Sequence, residues 1–407
     1  MSHSDFKQPS YTVKQILLEN GNWWIFFQSN KNIIRKDIVR AITKLLSCGT
    51  KFLGYAKYKC SNKDCDHTVI VPFTCKSKAC SSCGKKQTEI WINKQHNILP
   101  KTEWQHITFT MPDKLWVLFW LNRDLLNIIT KLAANTILSF ANSKGLTVGI
   151  FTALHTFGHD LKRNVHVHLS TTRTGLTPSL TKLKHIFYPY KKIMLSWKHN
   201  LLSLLSKLYN SNNLVLPKSL KDELNSAHTF DDFLSQLGSL NWWVNFSKPQ
   251  TSHYHNVNYL GRYVKRPAIA NSRLMHYDGN HVVFNYLDRN TNKKKVMSFS
   301  VSHFIERFVW HIPDTNFKMI RYYGFLANRV RGNFLPIVNN LLGMAHTFIS
   351  KTVSFIDLLK INFNRNFLKC SSCGGILELC RRYFGLFGSE CIDTIHHQLA
   401  TSTFQNK

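Results

Sequence analysis

A chain of 407 residues is long enough to bury a sizeable core and to divide into two or three structural units. A hydrophobic content of 43% is that of a globular protein and excludes wholesale disorder. Fifty-three lysines and arginines against twenty-two acids leave a net charge of +31, which points to a polyanionic partner, nucleic acid first of all.

A membrane surface is the competing polyanion, but the chain shows neither a basic amphipathic helix nor a lipidation signal. The first residues, MSHSDFKQPSYTVKQ, are polar and predict no secretory signal. No run of eighteen apolar residues predicts a transmembrane span. The expectation is a cytoplasmic, nucleoid-associated protein that binds neither a membrane nor a small-molecule substrate.

Residues 13–57 carry apolar positions at helical spacing in VKQILLENGNWWIFFQ and KDIVRAITKLLSC. Cysteines follow as Cys60-x4-Cys65 and Cys75-x4-Cys80-x2-Cys83-Gly84, with a strand-like HTVIVPFT between the groups. In a chain of ten cysteines at short spacings, this pattern favours reduced, metal-binding thiols over a disulfide framework. The expected zinc ligands are Cys60, Cys65, Cys80 and Cys83, with Cys75 spare and His67 a weaker substitute. A site closed by four thiolates is structural, because no position remains for a substrate.

A helix is expected over 88–100, a strand over 104–112 and a long apolar helix over 113–145 that ends at Gly145. Val148 to Phe157 then reads VGIFTALHTF, a β-rich arm; GHDLKRN turns, and VHVHLSTT returns. Side chains alternate across a strand, so His166 and His168 share a face and make half of a divalent-metal site. The third ligand is open among Asp160, His253, His255 and Asn258. The order strand, helix, strand, strand fits an α+β domain with a mostly antiparallel sheet.

Residues 176–240 are lysine-rich and helical, and 242–248 reads as a further strand. On a helix, Tyr259 and Tyr263 lie four apart on one face, beside Arg262, Lys265, Arg266 and Arg273. Paired phenols near a two-histidine metal site suit phosphodiester transesterification, with a tyrosine as nucleophile and the arginines and lysines on flanking phosphates. Residues 281–301 read as a hairpin with a lysine tip. The aromatic and guanidinium groups of 304–331 suit either base stacking or a core edge. Cys370-x2-Cys373-Gly374-Gly375 is half a zinc knuckle, for which Cys380, Cys391, His396 and His397 are candidate completions.

Several motifs together, in one order, carry a resemblance. CSNKDC…CKSKACSSCG, HITFTMP, TFGHDLKRNVHVHL, YLGRYVKRPAIANSRL, FIERFVWHIP and IRYYGFLANRVR span about residues 15–375. The chain resembles the two-tyrosine transposases of the HUH nuclease superfamily, more narrowly those of rolling-circle insertion sequences related to IS91. The resemblance implies an HUH-type α+β nuclease core with a central antiparallel sheet flanked by helices, plus an N-terminal helical and zinc-binding unit. It implies His166 and His168 as ligands of a catalytic magnesium or manganese ion, Tyr259 and Tyr263 as nucleophiles, and Cys60, Cys65, Cys80 and Cys83 on structural zinc. The implied activity is cleavage and rejoining of single-stranded DNA at transposon ends through a 5′-phosphotyrosine. The implied units are 1–100 (helical and zinc-binding), 101–335 (nuclease) and 336–407 (a helical tail with a possible CxxC knuckle). The rival readings are a replication initiator or relaxase with the same chemistry, and a non-catalytic zinc-dependent DNA-binding protein.

Overall fold

The computed structural model describes residues 11–225, 229–249, 257–258, 261, 267–288, 291–344, 366 and 368–385. Thirteen strands lie among them: β1 (Gly54–Cys60), β2 (Thr68–Pro72), β3 (Trp104–Phe109), β4 (Gly149–Phe157), β5 (Arg163–Thr172), β6 (Thr174–Leu176), β7 (Leu183–His185), β8 (Val244–Phe246), β9 (Leu274–Tyr277), β10 (His281–Asp288), β11 (Lys293–Ser300), β12 (Ile320–Gly324) and β13 (Leu377–Phe384). The centre is a five-stranded sheet of order β12-β4-β5-β3-β8, antiparallel at every pairing. The fold is α+β, as the sequence predicts.

Alternation along these strands sorts the residues onto two faces. Ile107, Phe109, Ile150, Leu154, Val165, Val167 and Leu169 are buried on one face, in a core shared with the helices Leu125–Asn142 and Tyr190–Asn210. The second helix buries Ile193, Trp197, Leu201 and Leu205, four residues apart each time, so one stripe meets the core. Each such side chain contributes about 1.5–3 kcal/mol when removed from water. The first helix stops where Gly145 takes φ +66° and the amide of Leu146 reaches back to the carbonyl of Ala141 (3.0 Å), a conformation a β-carbon would strain.

The other face of β3, β4 and β5 carries Trp104, Phe151 and Ala153, packed with Trp91 of the helix Ser81–Ile98 and with Val257. A separate sheet, β11-β10-β9, shares a core with the N-terminal helices Val13–Leu18, Asn22–Asn30 and Lys36–Leu46 and with the helix Val301–Trp310. The N-terminal helices are therefore not a free-standing cap; their partners lie some 250 residues later in the chain.

A third sheet has the order β13-β1-β2. Here the structure corrects the expected helical tail over 336–407 within its described part: Arg331–Leu341 is a helix, but Leu377–Phe384 is a strand paired antiparallel with β1. The hairpin expected over 281–301 is present as β10 and β11, and Lys295 at its tip pairs with Asp288. The stretch with Arg321, Tyr322 and Tyr323 is the edge strand β12. Arg321 donates to Asn127 (2.6 Å) and Tyr323 to Thr130 (3.4 Å), so the core-edge reading holds there.

Candidate active site and metal centres

The register of the central sheet builds the site. His155 of β4 pairs directly with His166 of β5, and His168 pairs with Ala153 on one side and Thr108 of β3 on the other. His155, His166 and His168 therefore stand on one face, and one ring nitrogen from each lies within 4.8 Å of the others. All three rings are buried, at 8%, 8% and 4% exposure. His166 Nε2 and His168 Nε2 are 3.2 Å apart. Two nitrogens on one ion at about 2.1 Å would stand about 3.0–3.4 Å apart, between the octahedral and tetrahedral limits.

Neighbouring groups aim these nitrogens. His166 Nδ1–H donates to the carbonyl of Asn164 (2.9 Å), so Nε2 is the nitrogen of this ring that turns toward His168 and would face a metal. His168 Nδ1 meets His106 Nε2 (3.2 Å) and Thr108 Oγ1 (3.3 Å), and His106 Nδ1 meets Ser170 Oγ (3.0 Å). His106 is 2% exposed. Burial, with the nearby charge of His155, pushes its pKa down to about 3, so it is neutral and can accept from His168. At the mouth of the β4–β5 hairpin, the guanidinium of Arg163 lies between the rings of Trp120 (4.5 Å) and Trp310 (4.2 Å).

The third histidine is thus His155, which the sequence reading missed. Asp160, one of the expected candidates, accepts from the amide of Lys162 (3.1 Å) and pairs with its ammonium (3.4 Å) in the hairpin turn. Asn258 is a half-buried helical residue. His253 and His255 lie outside the described residues, as do Tyr259, Tyr263, Arg262, Lys265 and Arg266. Val257 and Gly261 of this stretch are described. Val257 is fully buried with Phe151 and Ala153, on the face of the histidines. Gly261 abuts the helix Ser81–Ile98 so closely that a β-carbon would lie 2.4 Å from Ile92. Arg273 donates to the carbonyls of Asn285 (2.8 Å) and His159, and so ties β10 to the hairpin turn.

The cysteines are rearranged relative to expectation. Cys60, Cys65, Cys80 and Cys83 do not form one set. Cys80 and Cys83 join Cys75 and Cys48, whereas Cys60 and Cys65 join Cys370 and Cys373. The physical reason is the β1–β2 hairpin, which carries Cys60 and Cys65 away from the loop that holds Cys75 and Cys80. Cys75 is a member rather than a spare, and Cys48, just beyond the helix Lys36–Leu46, was missed. His67 faces Ser371 (3.2 Å) instead of a metal position, and Cys380 is exposed on β13. Cys391, His396 and His397 lie outside the described residues.

In the first set the sulfurs stand 3.5–3.8 Å apart for Cys75–Cys83, Cys48–Cys83 and Cys48–Cys80. A tetrahedral zinc with Zn–S of about 2.3 Å separates its sulfurs by about 3.8 Å. The amide of Cys75 points at Cys48 Sγ and that of Ser77 at Cys75 Sγ, both at 3.4 Å. Cys80 caps the helix Ser81–Ile98 and Cys83 sits in its first turn, where the helix dipole favours thiolate.

A family model described as a putative transposase matches residues 149–333, and one described as a transposase zinc-binding domain matches residues 21–111. The transposase for insertion sequence element IS801 of Pseudomonas savastanoi pv. phaseolicola is 38% identical over 93% of this chain and 92% of its own length. This chain belongs to the IS91 transposase family. A putative transposase of Sinorhizobium fredii is 29% identical over 82% of this transposase and 86% of its own length. No solved structure matches it. The histidine-bearing strands of the transposase lie inside the first matched region, and all four cysteines of the first set lie inside the second. Among its described residues no helix is long and apolar enough to cross a membrane.

Proposed function

We propose that this transposase cleaves and rejoins single-stranded DNA at the ends of its element through a 5′-phosphotyrosine, as in rolling-circle transposition. The observation that carries the reading is the His155–His166–His168 triad, which brings one ring nitrogen from each residue within 4.8 Å of the others on one face of the central sheet. The triad would hold a divalent cation, whose chemistry is to polarise the scissile phosphate and neutralise charge on the departing 3′-oxygen. Three imidazoles are poorer in oxygen than magnesium ordinarily takes, which favours manganese of the two expected ions.

Tyr259 and Tyr263 are the proposed nucleophiles. The phenol oxygen attacks phosphorus, the bond to the 3′-oxygen breaks, and that oxygen leaves with a proton as a free hydroxyl. The bond energy is retained in the phosphotyrosine, so a second 3′-hydroxyl can reverse the step and rejoin strands. Arg262, Lys265, Arg266 and Arg273 are proposed phosphate contacts. The net charge of +31 supports DNA as the partner. So does a groove of about 900 Å³ beside the first cysteine set, lined by Arg40, Lys44, Lys76, Lys94, Lys318 and Arg331. Zinc on Cys48, Cys75, Cys80 and Cys83 would fix the start of the helix that covers the histidine face.

The test is a covalent-adduct assay with labelled single-stranded oligonucleotides from the element's ends and manganese or magnesium. Wild type should give a denaturation-resistant protein–DNA band that Tyr259→Phe with Tyr263→Phe abolishes. A band that survives the double change removes the tyrosines from the mechanism; no band with any end sequence removes the mechanism.

A further inference from the structure

The first cysteine set is complete within residues 48–83, which leaves Cys60 and Cys65 of the N-terminal region without ligand partners in their own segment. Their partners come from the far end of the chain. Strand β13 pairs with β1 from Gly54↔Phe384 to Cys60↔Leu377, and the amide of Ser61 donates to the carbonyl of Ile376 (2.8 Å). That register sets the Cys370–Cys373 turn directly over Cys60 and Cys65. Cys60 Sγ lies 3.4 Å from Cys373 Sγ, and Cys65 Sγ lies 3.9 Å from Cys370 Sγ. These separations are far beyond the roughly 2.05 Å of a disulfide. They bracket the roughly 3.8 Å between sulfurs on a tetrahedral zinc.

The turn itself is shaped for such a site. The amide of Cys370 donates to the Gly375 carbonyl (2.7 Å) and that of Gly374 to the Cys370 carbonyl (3.0 Å). Gly374 holds φ +77°, which favours glycine. A β-carbon on Gly375 would come within 3.1 Å of Cys60 Sγ and 3.3 Å of Cys373 Sγ, so the close approach of the thiols needs a glycine there too.

The surrounding packing gives a second, independent argument. The core of this sheet consists of Cys60, Cys65, Cys370 and Leu377, with Tyr58 and Val69 packed against it. Strand β13 is exposed along its whole length after Leu377, and β2 buries no residue. So small an apolar cluster does not hold three strands together without a metal or a disulfide. We propose that Cys60, Cys65, Cys370 and Cys373 bind a second structural zinc ion, which fastens the C-terminal segment onto the N-terminal ribbon. The region matched as a transposase zinc-binding domain ends at residue 111, so half of this site lies outside it. The N-terminal unit is accordingly complete only in the whole chain, and a fragment ending near residue 100 would load one zinc instead of two.

The test uses the full chain, purified with zinc under reducing conditions. On a His166→Ala, His168→Ala background, which keeps zinc off the histidine triad, elemental analysis should find two zinc ions per chain. Cys370→Ser with Cys373→Ser should carry one, Cys75→Ser with Cys80→Ser should also carry one, and Cys380→Ser should keep two. One zinc in that background without a cysteine change overturns the proposal, as does retention of both when Cys370→Ser and Cys373→Ser are added. Thiol alkylation of the wild type, read by mass spectrometry, requires no variant to fold. Cys60, Cys65, Cys370 and Cys373 should be protected together and become reactive together on chelation, while Cys380 reacts throughout. Alkylation of Cys370 and Cys373 in the zinc-loaded protein at the rate of Cys380 overturns the proposal as well.

Discussion

His155 stands directly opposite His166 across the β4–β5 ladder, and that single register position turns a two-histidine motif into a three-nitrogen site. If the triad holds the catalytic cation, His155→Ala should behave as His166→Ala with His168→Ala does. DNA binding should persist, because no lysine or arginine phosphate contact is lost, while cleavage of a single-stranded end should fall by about two orders of magnitude or more. Parallel binding and cleavage assays in manganese check this. Cleavage at the wild-type rate in His155→Ala would confine the site to two histidines.

His106 Nε2 stands 3.2 Å from His168 Nδ1 without belonging to the triad, so it acts as a positioning residue. His106→Asn should weaken metal affinity about 10- to 100-fold, the usual cost of losing a partner behind a ligating imidazole. A manganese titration of the cleavage rate would read this as a shift in half-saturation, with the rate largely recovered at high metal. The same residue gives a pH prediction. Its folded pKa of about 3 lies below the unfolded value near 6.5, so the unfolded state binds the extra proton. Its neutral form therefore favours folding above about pH 6.5, and this contribution is lost as pH drops from there towards 3. Denaturation curves at pH 7 and 5.5 should show a shallower loss in His106→Asn than in wild type. Equal slopes would mean that His106 is not held neutral.

The sequence made His166 and His168 legible because a period of two is local: both rings must share a face of any strand. His155 was hidden because a lone histidine in VGIFTALHTF gains meaning only from cross-strand register, which a hairpin turn of uncertain length does not determine. The cysteines show the same division. Short spacings marked Cys60, Cys65, Cys80, Cys83 and Cys370 as metal-binding thiols. Which pair meets which depends on β1 separating two neighbouring groups and on β13 returning from some 300 residues away. Arg321, Tyr322 and Tyr323 left open a base-stacking surface or a core edge. The choice rested on the pairing of β12 with β4, again a non-local contact.

Gly261 lies so close to Ile92, on the helix that starts at the first cysteine set, that a β-carbon there would stand 2.4 Å from it. Alanine at 261 would gain about 1 kcal/mol in helix propensity. Overpacking against Ile92 should outweigh that gain, at about 1–3 kcal/mol. Gly261→Ala should therefore lower the melting temperature and the adduct yield, and Ile92→Ala added to it should recover both in part. A Gly261→Ala protein with unchanged adduct yield would mean that the contact does not position the segment.

Lys94 and Lys318 line the basic groove from two different parts of the chain, one on the helix Ser81–Ile98 and one just before β12. If single-stranded DNA runs through the groove, each ammonium releases about one counterion on binding. The slope of log affinity against log salt is about −0.7 per phosphate neutralised on a single strand. Lys94→Ala and Lys318→Ala should each make that slope shallower by about this amount and weaken binding similarly for all sequences, because a phosphate contact carries no base information. The two effects should add, since the residues lie on separate elements of the chain. Fluorescence-anisotropy titrations between about 50 and 200 mM salt cover the range in which an interface of several phosphates loses orders of magnitude in affinity. A slope unaltered in both variants would route the DNA elsewhere on the basic surface. A change confined to one oligonucleotide sequence would instead make that lysine a reader of bases.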